Sequence, residues 1–371
     1  MQISFAQSPR STLGVEWEVA LVDSVTGELV PLGPQVVEEL DSPLVTGEFM
    51  TNTVEMVTGV CHSVAEAESD LKAAMSSIQK VAASHGLGVL AAGTHPFSSW
   101  RAQRVSEGSK YQKMLDRTQH WGRQMVIYGV HVHVGIESRD KALPMMSSLL
   151  HAYPHLLALS ANSPFWEGED TGFASHRSQL FQQLPTAGLP FQFTQWSEYE
   201  SFVEDMMTTG VIDALGENRW DVRPAAHLGT LEYRNCDSVS TIHEIGAITA
   251  LIQCLVEEAS RKLDDGQELP ALQPWHVQEN KWRAARYGLD AIVITGSDNS
   301  ERLVTDDLID MTKRLAPIAA DLDCSEELAR IPGMIKRGAG YQRQHALAAE
   351  SGGDLRKVVL AMVEETAAEL R

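Results

Sequence analysis

The chain has 371 residues, and its 30 lysines and arginines against 50 aspartates and glutamates give a formal net charge of −20 at pH 7. Hydrophobic residues make up 43% and charged residues 22%, which is typical of a globular protein and excludes a disordered one. The negative charge argues against binding to nucleic acid or to an anionic membrane, since both need a basic surface. A small anionic substrate is still compatible with it, because bound divalent metals or a local arginine cluster reverse the field inside a pocket.

The first predicted elements are a strand and a long helix. Residues 12–23 alternate polar and apolar side chains, which predicts a strand. The clearest helix follows Ser63, which forms a capping box with Glu66, and its apolar stripe predicts an end at Gly86. Further strands are predicted at 88–93, 128–136 and 229–235, and helices at 141–160, 198–208 and through most of the chain after about 241. Strands concentrate before about residue 236, which predicts one α+β unit over residues 1–371, strand-rich first and mainly helical after.

The cysteines and apolar runs predict the compartment. The four cysteines are widely separated and form no CxxC pair, which excludes a disulfide framework and a thiolate zinc site as first interpretations. The N-terminal residues lack the apolar core of a signal peptide. The most apolar run, 142–161, contains His, Pro and Ser and is too polar to span a bilayer. We therefore expect a cytoplasmic protein.

Polar residues are spaced i, i+2 inside three of the predicted strands. Successive side chains of a strand point to opposite faces, so each pair projects from one face. A solvent-facing edge would produce any one such pair, but three pairs in apolar strands favour a shared polar face on a central sheet. Carboxylates on a buried face repel each other unless a cation holds them, which predicts a metal there. The pairs are Glu16 and Glu18, His131 and His133, and Glu232 and Arg234.

Two more glutamates are candidate ligands. Glu48 and Glu55 flank a polar hinge in GEFMTNTVEMVTG; Glu55 lies in an apolar run, whereas a surface position is the alternative for Glu48. A set rich in carboxylates, with imidazoles and no thiolate, suits Mg²⁺ or Mn²⁺ better than zinc. Mg²⁺ is usually bound together with substrate phosphates, which points toward a nucleotide. Because the chain has no GxxxxGK[ST] loop, metals and arginines would have to hold those phosphates.

Arginines of a suitable kind lie close by in sequence. The segment RWDVRPAAHLGTLEYR supplies Arg219, Arg223 and Arg234, which could neutralise a phosphoryl group during transfer. Surface ion pairs with the neighbouring acidic residues Glu217 and Asp221 are the alternative for the first two.

Two further segments are interpreted differently. In ENKWRAARYG, residues 279–288, a structural interpretation is favoured, a helix that packs through Trp282 and Tyr287. The irregular stretch 163–191 suits a loop that covers substrate, with Asp170 and Arg177 as its expected contacts.

At these residues the sequence resembles the bacterial glutamate–cysteine ligase type 2 family, the carboxylate–amine ligases of the glutamine synthetase-like fold. The resemblance covers most of the chain. It implies a curved, mainly antiparallel sheet whose concave face forms the active site, flanked by helices as in glutamine synthetases and guanidino kinases. It also implies amide-bond formation that consumes ATP with Mg²⁺ or Mn²⁺. The motifs that carry it are GVEWEV, GEFMTNTVEM, AAGTHPF, GVHVHVG, ALSANSPFWEGEDTGFASHR, WDVRP, GTLEYRNCD and ENKWRAARYG.

The resemblance also implies roles for individual residues. His133 and Arg223 would bind the nucleotide, and Arg234 the substrate, where Asp170 and Arg177 are already expected as contacts of the covering loop. Arg223 and Arg234 would be catalytic. The implied ligands of one metal, near the carboxylate substrate, are Glu18, Glu48 and Glu55. The implied ligands of a second metal, against the nucleotide phosphates, are Glu16, His131 and Glu232.

The implied reaction is phosphorylation of the γ-carboxylate of L-glutamate by ATP, followed by attack of the amine of L-cysteine on the acyl phosphate. The products would be γ-glutamylcysteine, ADP and phosphate, with weak activity toward cysteine allowed. A homo-oligomer is expected, with a dimer favoured. Three alternatives stay open: a metal-dependent hydrolase that uses the HxH pair, a guanidino-type kinase of the same fold, and a non-catalytic protein that only binds nucleotide or glutamate.

Overall fold

The structure is a computed structural model, and it describes residues 1–368. Its strands are β1 (Leu13–Asp23), β2 (Val45–Gly47), β3 (Thr53–Val57), β4 (Leu87–Leu90), β5 (Gly129–Gly135), β6 (Phe165–Trp166), β7 (Glu169–Asp170), β8 (Val222–Ala225), β9 (Thr230–Asp237), β10 (Ile292–Ile294) and β11 (Glu301–Leu303). Its helices are α1 (Gly33–Leu40), α2 (Val64–Ser84), α3 (Ser109–Thr118), α4 (His120–Arg123), α5 (Arg139–Leu149), α6 (Tyr153–Ser160), α7 (His176–Phe181), α8 (Trp196–Thr208), α9 (Ile242–Asp264), α10 (Pro274–Tyr287), α11 (Val304–Asp321), α12 (Ser325–Leu328), α13 (Ile331–Arg337), α14 (Gly340–Glu350) and α15 (Leu355–Ala368).

The central feature is a seven-stranded sheet with the order β2-β3-β1-β5-β9-β8, in which β4 also pairs with β1. Its strand pairs are antiparallel. The long strand β1 has three partners, because it pairs with β5 over Leu13–Trp17, with β3 over Glu16–Ala20 and with β4 over Ala20–Asp23. This arrangement confirms the predicted α+β fold with a mainly antiparallel sheet and flanking helices.

The core lies between one face of this sheet and the helices that cover it. Val15, Trp17 and Val19 of β1 are at most 1% exposed and belong to one apolar cluster with the buried stripes of α2 and α9. Since alternate side chains of a strand point to opposite faces, Glu16 and Glu18 lie on the other face.

The helix α2 begins where the sequence predicts. The hydroxyl oxygen of Ser63 accepts a hydrogen bond from the backbone N–H of Glu66 at 3.2 Å, whereas the Glu66 carboxylate accepts from the N–H of His62 at 2.6 Å. The capping is therefore confirmed at Ser63 and displaced by one residue for Glu66. The helix ends at Ser84, and Gly86 follows with φ of +72°, which glycine adopts without steric cost.

The segment 141–160 forms two helices, α5 and α6, where the sequence pattern suggests one helical stretch. Pro154 stands in the first turn of α6. Because proline has no backbone N–H, it could not extend the hydrogen-bond ladder of α5.

The helix α10 packs differently from its prediction. Trp282 and Tyr287 are each 44% exposed, so the expectation that the helix packs through these two rings is wrong. The helix instead buries Lys281, whose Nζ lies 2.6 Å from the buried carboxylate of Asp221. Within residues 1–368, none of the helices has the length and apolar character that spanning a bilayer requires.

Candidate active site

The strand register places the sequence-predicted residues side by side on the face of the sheet opposite the core. The residues between the members of each pair, Trp17, Val132 and Tyr233, are at most 1% exposed, as the alternation of side chains requires. Residues far apart in sequence thus become direct neighbours across adjacent strands. The cross-strand partners are Glu16 with His131, Glu18 with Glu55, His133 with Glu232, and Glu232 with Arg223.

One group of ligand atoms belongs to the three residues expected to bind the metal against the nucleotide phosphates. Glu16, His131 and Glu232 each offer a ligand atom, and these atoms lie within 4.8 Å of one another. The Nδ1 atom of His131 is also 2.8 Å from a carboxylate oxygen of Glu16, so the two groups orient each other. His131 is 4% and Glu232 is 1% exposed, which makes this a largely dehydrated site.

A second group lies next to the first and shares one residue with it. Glu18, Glu55 and His131 offer ligand atoms within 4.8 Å of one another. Glu48 was expected in this set, but it lies just after β2 and its carboxylate accepts a hydrogen bond from the N–H of Phe49 at 2.7 Å. Its charge still acts on the group, since it raises the pKa of both Glu18 and Glu55.

The carboxyl groups around the second site repel one another. Burial, reinforced by the charge of Glu48, raises the pKa of Glu18 to about 8. Burial and the charges of Glu48, Glu16 and Glu18 raise the pKa of Glu55 to about 10. Burial also raises the pKa of Glu48. Such a cluster fits a divalent cation, which would favour the charged form of each oxygen ligand.

The first site has the opposite electrostatics. Burial acts to raise the pKa of both Glu16 and Glu232, but neighbouring groups outweigh it. His131 and His133 lower the pKa of Glu16 below its usual range. Arg234 and Arg223 lower the pKa of Glu232 below its usual range. Burial, followed by the charge of Arg234, lowers the pKa of His131 to about 4. His131 is therefore neutral at pH 7, which is the form that binds metals.

His133 points an unused nitrogen toward these carboxylates. Its Nδ1 atom is 2.9 Å from the hydroxyl oxygen of Thr230. Its Nε2 atom is buried and makes no hydrogen bond within residues 1–368, although it lies 3.3 Å from Glu16 and 3.9 Å from Glu232. A buried polar atom without a partner indicates a position where a ligand group can bind.

Both oxygens of Glu232 are held by arginines. Arg223 donates through Nε at 2.7 Å and through a terminal nitrogen at 3.3 Å, and Arg234 donates to the second oxygen as well. Arg223 also donates to the carbonyl oxygens of Asn218 and Gly216 at 2.5 and 3.1 Å, which fixes its plane. The alternative pairing of Arg223 with Asp221 is absent from the described residues, where Asp221 is paired with Lys281.

Arg177, near the start of α7, is buried next to β9. It is 3% exposed, and both its terminal nitrogens donate to the carbonyl oxygen of Arg234 at 3.3 Å. Its Nε atom has no hydrogen-bond partner among the described residues. A Cβ atom at Gly129 would lie 2.2 Å from Arg177, so glycine makes this close approach possible.

The sequence interpretation missed two residues that support Arg177. The ring of Phe181 lies 5.9 Å from the guanidinium carbon of Arg177 and 6.0 Å from that of Arg234. Asp237 is fully buried and accepts hydrogen bonds from the N–H of Asn162 and the hydroxyl groups of Ser163 and Ser175, which hold the segment before α7. Asp237 follows the polar pair of β9 by three residues and could have been noticed, whereas nothing in the sequence singles out Phe181.

Asp170 is not brought together with the other predicted residues. It lies on the exposed strand β7, where its carboxylate accepts from the N–H of Gly172 and is 3.3 Å from Nε2 of His345. Arg219, a candidate for neutralising a phosphoryl group, donates to the backbone oxygen of Glu217 at 3.1 Å. The alternative, an ion pair with the Glu217 carboxylate, is absent from the part of the chain that the structure describes.

Comparison of the whole chain with known proteins gives consistent results. A protein of Arthrobacter sp. (strain FB24) that carries the provisional name glutamate–cysteine ligase 2-1 is 55% identical, over 98% of each chain. One from Mycobacterium tuberculosis (strain ATCC 25618 / H37Rv), provisionally named glutamate–cysteine ligase 2, is 54% identical over 98% of this chain and 97% of its own.

Two solved structures share the fold at low sequence identity. The glutamate–cysteine ligase of Francisella tularensis in complex with AMP superposes with a TM-score of 0.72 at 14% identity, covering 99% of this chain and 90% of that one. A bifunctional glutathione synthetase of Pasteurella multocida gives 0.67 at 16% identity, covering 97% of this chain and 52% of that one. The family model described as glutamate-cysteine ligase family 2 (GCS2) matches residues 12–361, and the chain therefore belongs to this family.

Proposed function

We propose that the chain is an ATP-dependent ligase that joins the γ-carboxylate of L-glutamate to the amine of L-cysteine through an acyl phosphate, giving γ-glutamylcysteine, ADP and phosphate. The observation that carries this proposal is the convergence on one sheet face of two ligand groups that share His131, beside two arginines bound to Glu232. That arrangement suits a nucleotide phosphate held between metal ions and guanidinium groups.

Membership of the family makes the chain a ligase that forms a carbon–nitrogen bond. The names of the relatives at 54 and 55% identity support ATP-dependent joining of a carboxylate to an amine, with glutamate and cysteine as the substrates. The Francisella enzyme was solved with AMP, which supports a nucleotide site in this fold.

The donor sets suit Mg²⁺ or Mn²⁺, because they consist of carboxylates and one neutral imidazole. When bound, the ions would neutralise charge on the nucleotide phosphates and polarise the phosphoryl group. We assign the first ion to Glu16, His131 and Glu232. We assign the second ion to Glu18 and Glu55, with Glu48 beside them.

Arg223 and Arg234 offset the negative charge of the phosphoryl group as it passes to the substrate carboxylate. Their positive charges are already in place beside Glu232, so little rearrangement is needed at the moment of transfer. His133 directs its Nε2 atom, which lies 3.3 Å from Glu16 and makes no hydrogen bond within residues 1–368, to the same region and binds the nucleotide.

Arg177 binds a carboxylate of the amino-acid substrate. Its buried Nε atom lacks an acceptor among residues 1–368, and a guanidinium pairs well with a planar carboxylate. The ring of Phe181 lies within 6.0 Å of the guanidinium carbons of both Arg177 and Arg234, which allows a cation–π contact with each. Asp170 is left out of this assignment, because its carboxylate contacts Gly172 and His345 on the exposed hairpin.

The test is release of ADP and phosphate from ATP with Mg²⁺ and L-glutamate, with and without L-cysteine, with the products identified by mass. We expect amine-dependent phosphate release and formation of γ-glutamylcysteine. Glu55→Gln should abolish this turnover, whereas Glu38→Gln, at an exposed position on α1, should leave it unchanged.

Other results would assign a different substrate or a different activity to the chain. Turnover with another amine would keep the ligase chemistry and overturn cysteine as substrate. ADP formed without phosphate or amide would indicate a guanidino-type kinase. Failure to consume ATP with any acid and amine would refute the proposal.

A further inference from the structure

A buried ion pair that the proposed function does not use joins the helix α10 to the edge of the sheet. The Nζ atom of Lys281 lies 2.6 Å from Oδ2 of Asp221, and the hydroxyl group of Tyr153 donates to the same oxygen at 3.1 Å. All three residues are at most 5% exposed, and none of them belongs to the two ligand groups of the candidate active site. We call Tyr153, Asp221 and Lys281 the anchor.

The backbone of Asp221 connects the anchor to two arginines of the candidate active site. Its carbonyl oxygen accepts a hydrogen bond from the N–H of Arg234 on β9 at 2.8 Å, and its own N–H donates to the carbonyl oxygen of Gly188 at 2.8 Å. The carbonyl oxygen of Arg234 accepts in turn from both terminal nitrogens of Arg177 at 3.3 Å. The position of Lys281 is therefore linked, through Asp221 and Arg234, to that of Arg177.

Both arginines have hydrogen-bond donors that the protein does not use. The Nε atoms of Arg177 and Arg234 are buried and have no hydrogen-bond partner among residues 1–368. Such donors suit a ligand that supplies its own acceptors. Their effect on a reaction depends on exact placement, because a shift of about 1 Å at a reaction centre can lower the rate about a hundredfold. The main chain of Arg234 bears on both donors, since it carries one guanidinium and binds the other.

Stability alone does not account for the ion pair in the anchor. Burying an ammonium and a carboxylate costs free energy that their attraction repays only in part, and apolar residues of similar volume often replace such a pair without loss of stability. The pair does supply direction, because a buried polar network whose members are all hydrogen-bonded holds one arrangement. In the anchor, two donors fix one carboxylate oxygen of Asp221.

We propose that Lys281 is a positioning residue: through Asp221 it fixes the main chain of Arg234 and so sets the guanidinium groups of Arg234 and Arg177 relative to each other. This inference rests on the proposed function and adds to it a residue that acts only through others. It gives the motif ENKWRAARYG a role in the reaction, where the sequence alone favoured a structural one. The metal ligands on β1, β3 and β5 do not depend on this linkage.

The experiment separates positioning from stability with the double variant Lys281→Met/Asp221→Asn. It removes both charges of the pair and keeps an oxygen that can accept from Tyr153, so we expect thermal unfolding close to that of the wild type. We expect kcat to fall at least about tenfold and KM for L-glutamate to rise several-fold, with KM for MgATP changed less than about twofold. Lys281→Arg, which keeps the charge but moves the donors, should give an intermediate kcat.

A second measurement does not depend on turnover. Calorimetric titration of the full chain with L-glutamate and Mg²⁺ should show several-fold weaker binding in the double variant. The matched control is Lys141→Met, which removes a largely buried lysine of α5 whose Nζ lies 2.6 Å from Asp264 and which also contacts Glu137 and Ser260. This control should keep wild-type kcat, KM and glutamate affinity.

The outcomes distinguish this inference from the proposed function. Wild-type kcat, KM and glutamate affinity in a stable double variant would overturn the role of Lys281 and leave the ligase proposal intact. Wild-type protein that forms no amide would refute the proposed function, and the glutamate titration would still test the anchor. Should the double variant fail to fold, Lys281→Arg decides: a lowered kcat at wild-type thermal stability supports positioning, and an unchanged kcat contradicts it.

Discussion

Glu18 and Glu55 are adjacent across β1 and β3, and burial with neighbouring negative charge keeps the pKa of both carboxyl groups high. Near neutral pH the two carboxyl groups keep their protons in the native state but are ionised in the unfolded chain. This difference lowers the free energy of unfolding, because each group binds its proton more tightly in the native state. The residues expected to hold metal thus destabilise the protein without a cation.

This cost can be measured with Glu55→Gln, which keeps the shape of the side chain and removes its charge. The pKa of Glu55 rises from 4.5 to about 10 on folding, so the penalty is absent at low pH and grows as the pH rises above the lower value. The variant should gain stability over the metal-free wild type from about pH 5 to about pH 8, by at most about 1.4 kcal/mol for each pH unit. Thermal unfolding in the presence of a chelator measures it, and a pH-independent difference would contradict the assignment.

Arg223 illustrates how a guanidinium differs from a simple positive charge. It reaches both oxygens of Glu232 and two backbone carbonyl groups through its planar fork. Arg223→Lys keeps the charge but loses this geometry, and we expect kcat to fall by at least about tenfold with the fold unchanged. The control is Arg139→Lys, at an exposed position at the start of α5, and the steady-state rates of the two variants are compared. Equal rates in the two variants would place Arg223 outside the reaction centre.

At the scale of elements, the site is a product of strand register. The pattern in the sequence predicted that Glu16, Glu18, His131 and His133 share a face, because a period of two is visible in each strand alone. It could not predict that β3 would lie beside β1 and place Glu55 next to Glu18, since pairing between strands depends on packing of the whole sheet. For the same reason, the sequence could not predict that Glu48 lies just after the end of β2.

The helices show a similar limit. The start of α2 was predicted from Ser63 because capping is a local interaction. The burial of Lys281 and exposure of Trp282 on α10 were not, because only the tertiary contact with Asp221 makes a buried lysine acceptable.

The close contact of β5 with α7 gives an element-scale prediction. Gly129→Ala places a methyl group where Arg177 lies, so we expect the guanidinium to shift and KM for L-glutamate to rise several-fold, with a stability loss of about 1–3 kcal/mol. Gly333→Ala is the control, because a Cβ atom there meets nothing within 4 Å. Unchanged KM in the Gly129 variant would show that Arg177 does not contact the substrate.

At the scale of the whole molecule, one apolar cluster includes residues from Ile3 to Tyr341, and a second smaller cluster joins β4 to α15. We propose on this basis that residues 1–371 act as a single catalytic domain, of which 369–371 lie outside the described residues. The predicted division into a strand-rich part and a mainly helical part describes secondary structure and not two separate cores. The expected dimer stays a prediction, which sedimentation analysis can test.

Both apolar clusters include residues from before and after residue 236, which predicts cooperative unfolding. Calorimetry of the full chain should show one transition, with the calorimetric enthalpy equal to the van't Hoff enthalpy. Two transitions, or a stable proteolytic fragment that ends near residue 236, would contradict the single domain.

The shared position of His131 between Glu16 and the glutamates of the second group has a consequence for folding kinetics. Glu16 and His131 are 115 residues apart in sequence, and His133 and Thr230 are 97 apart, so each contact closes a long loop of chain. Contacts of such high sequence separation form slowly, and no local fragment contains even one complete ligand group. Metal affinity should therefore return only in the slow phase of refolding that assembles β1, β5 and β9, and never in an early helical intermediate.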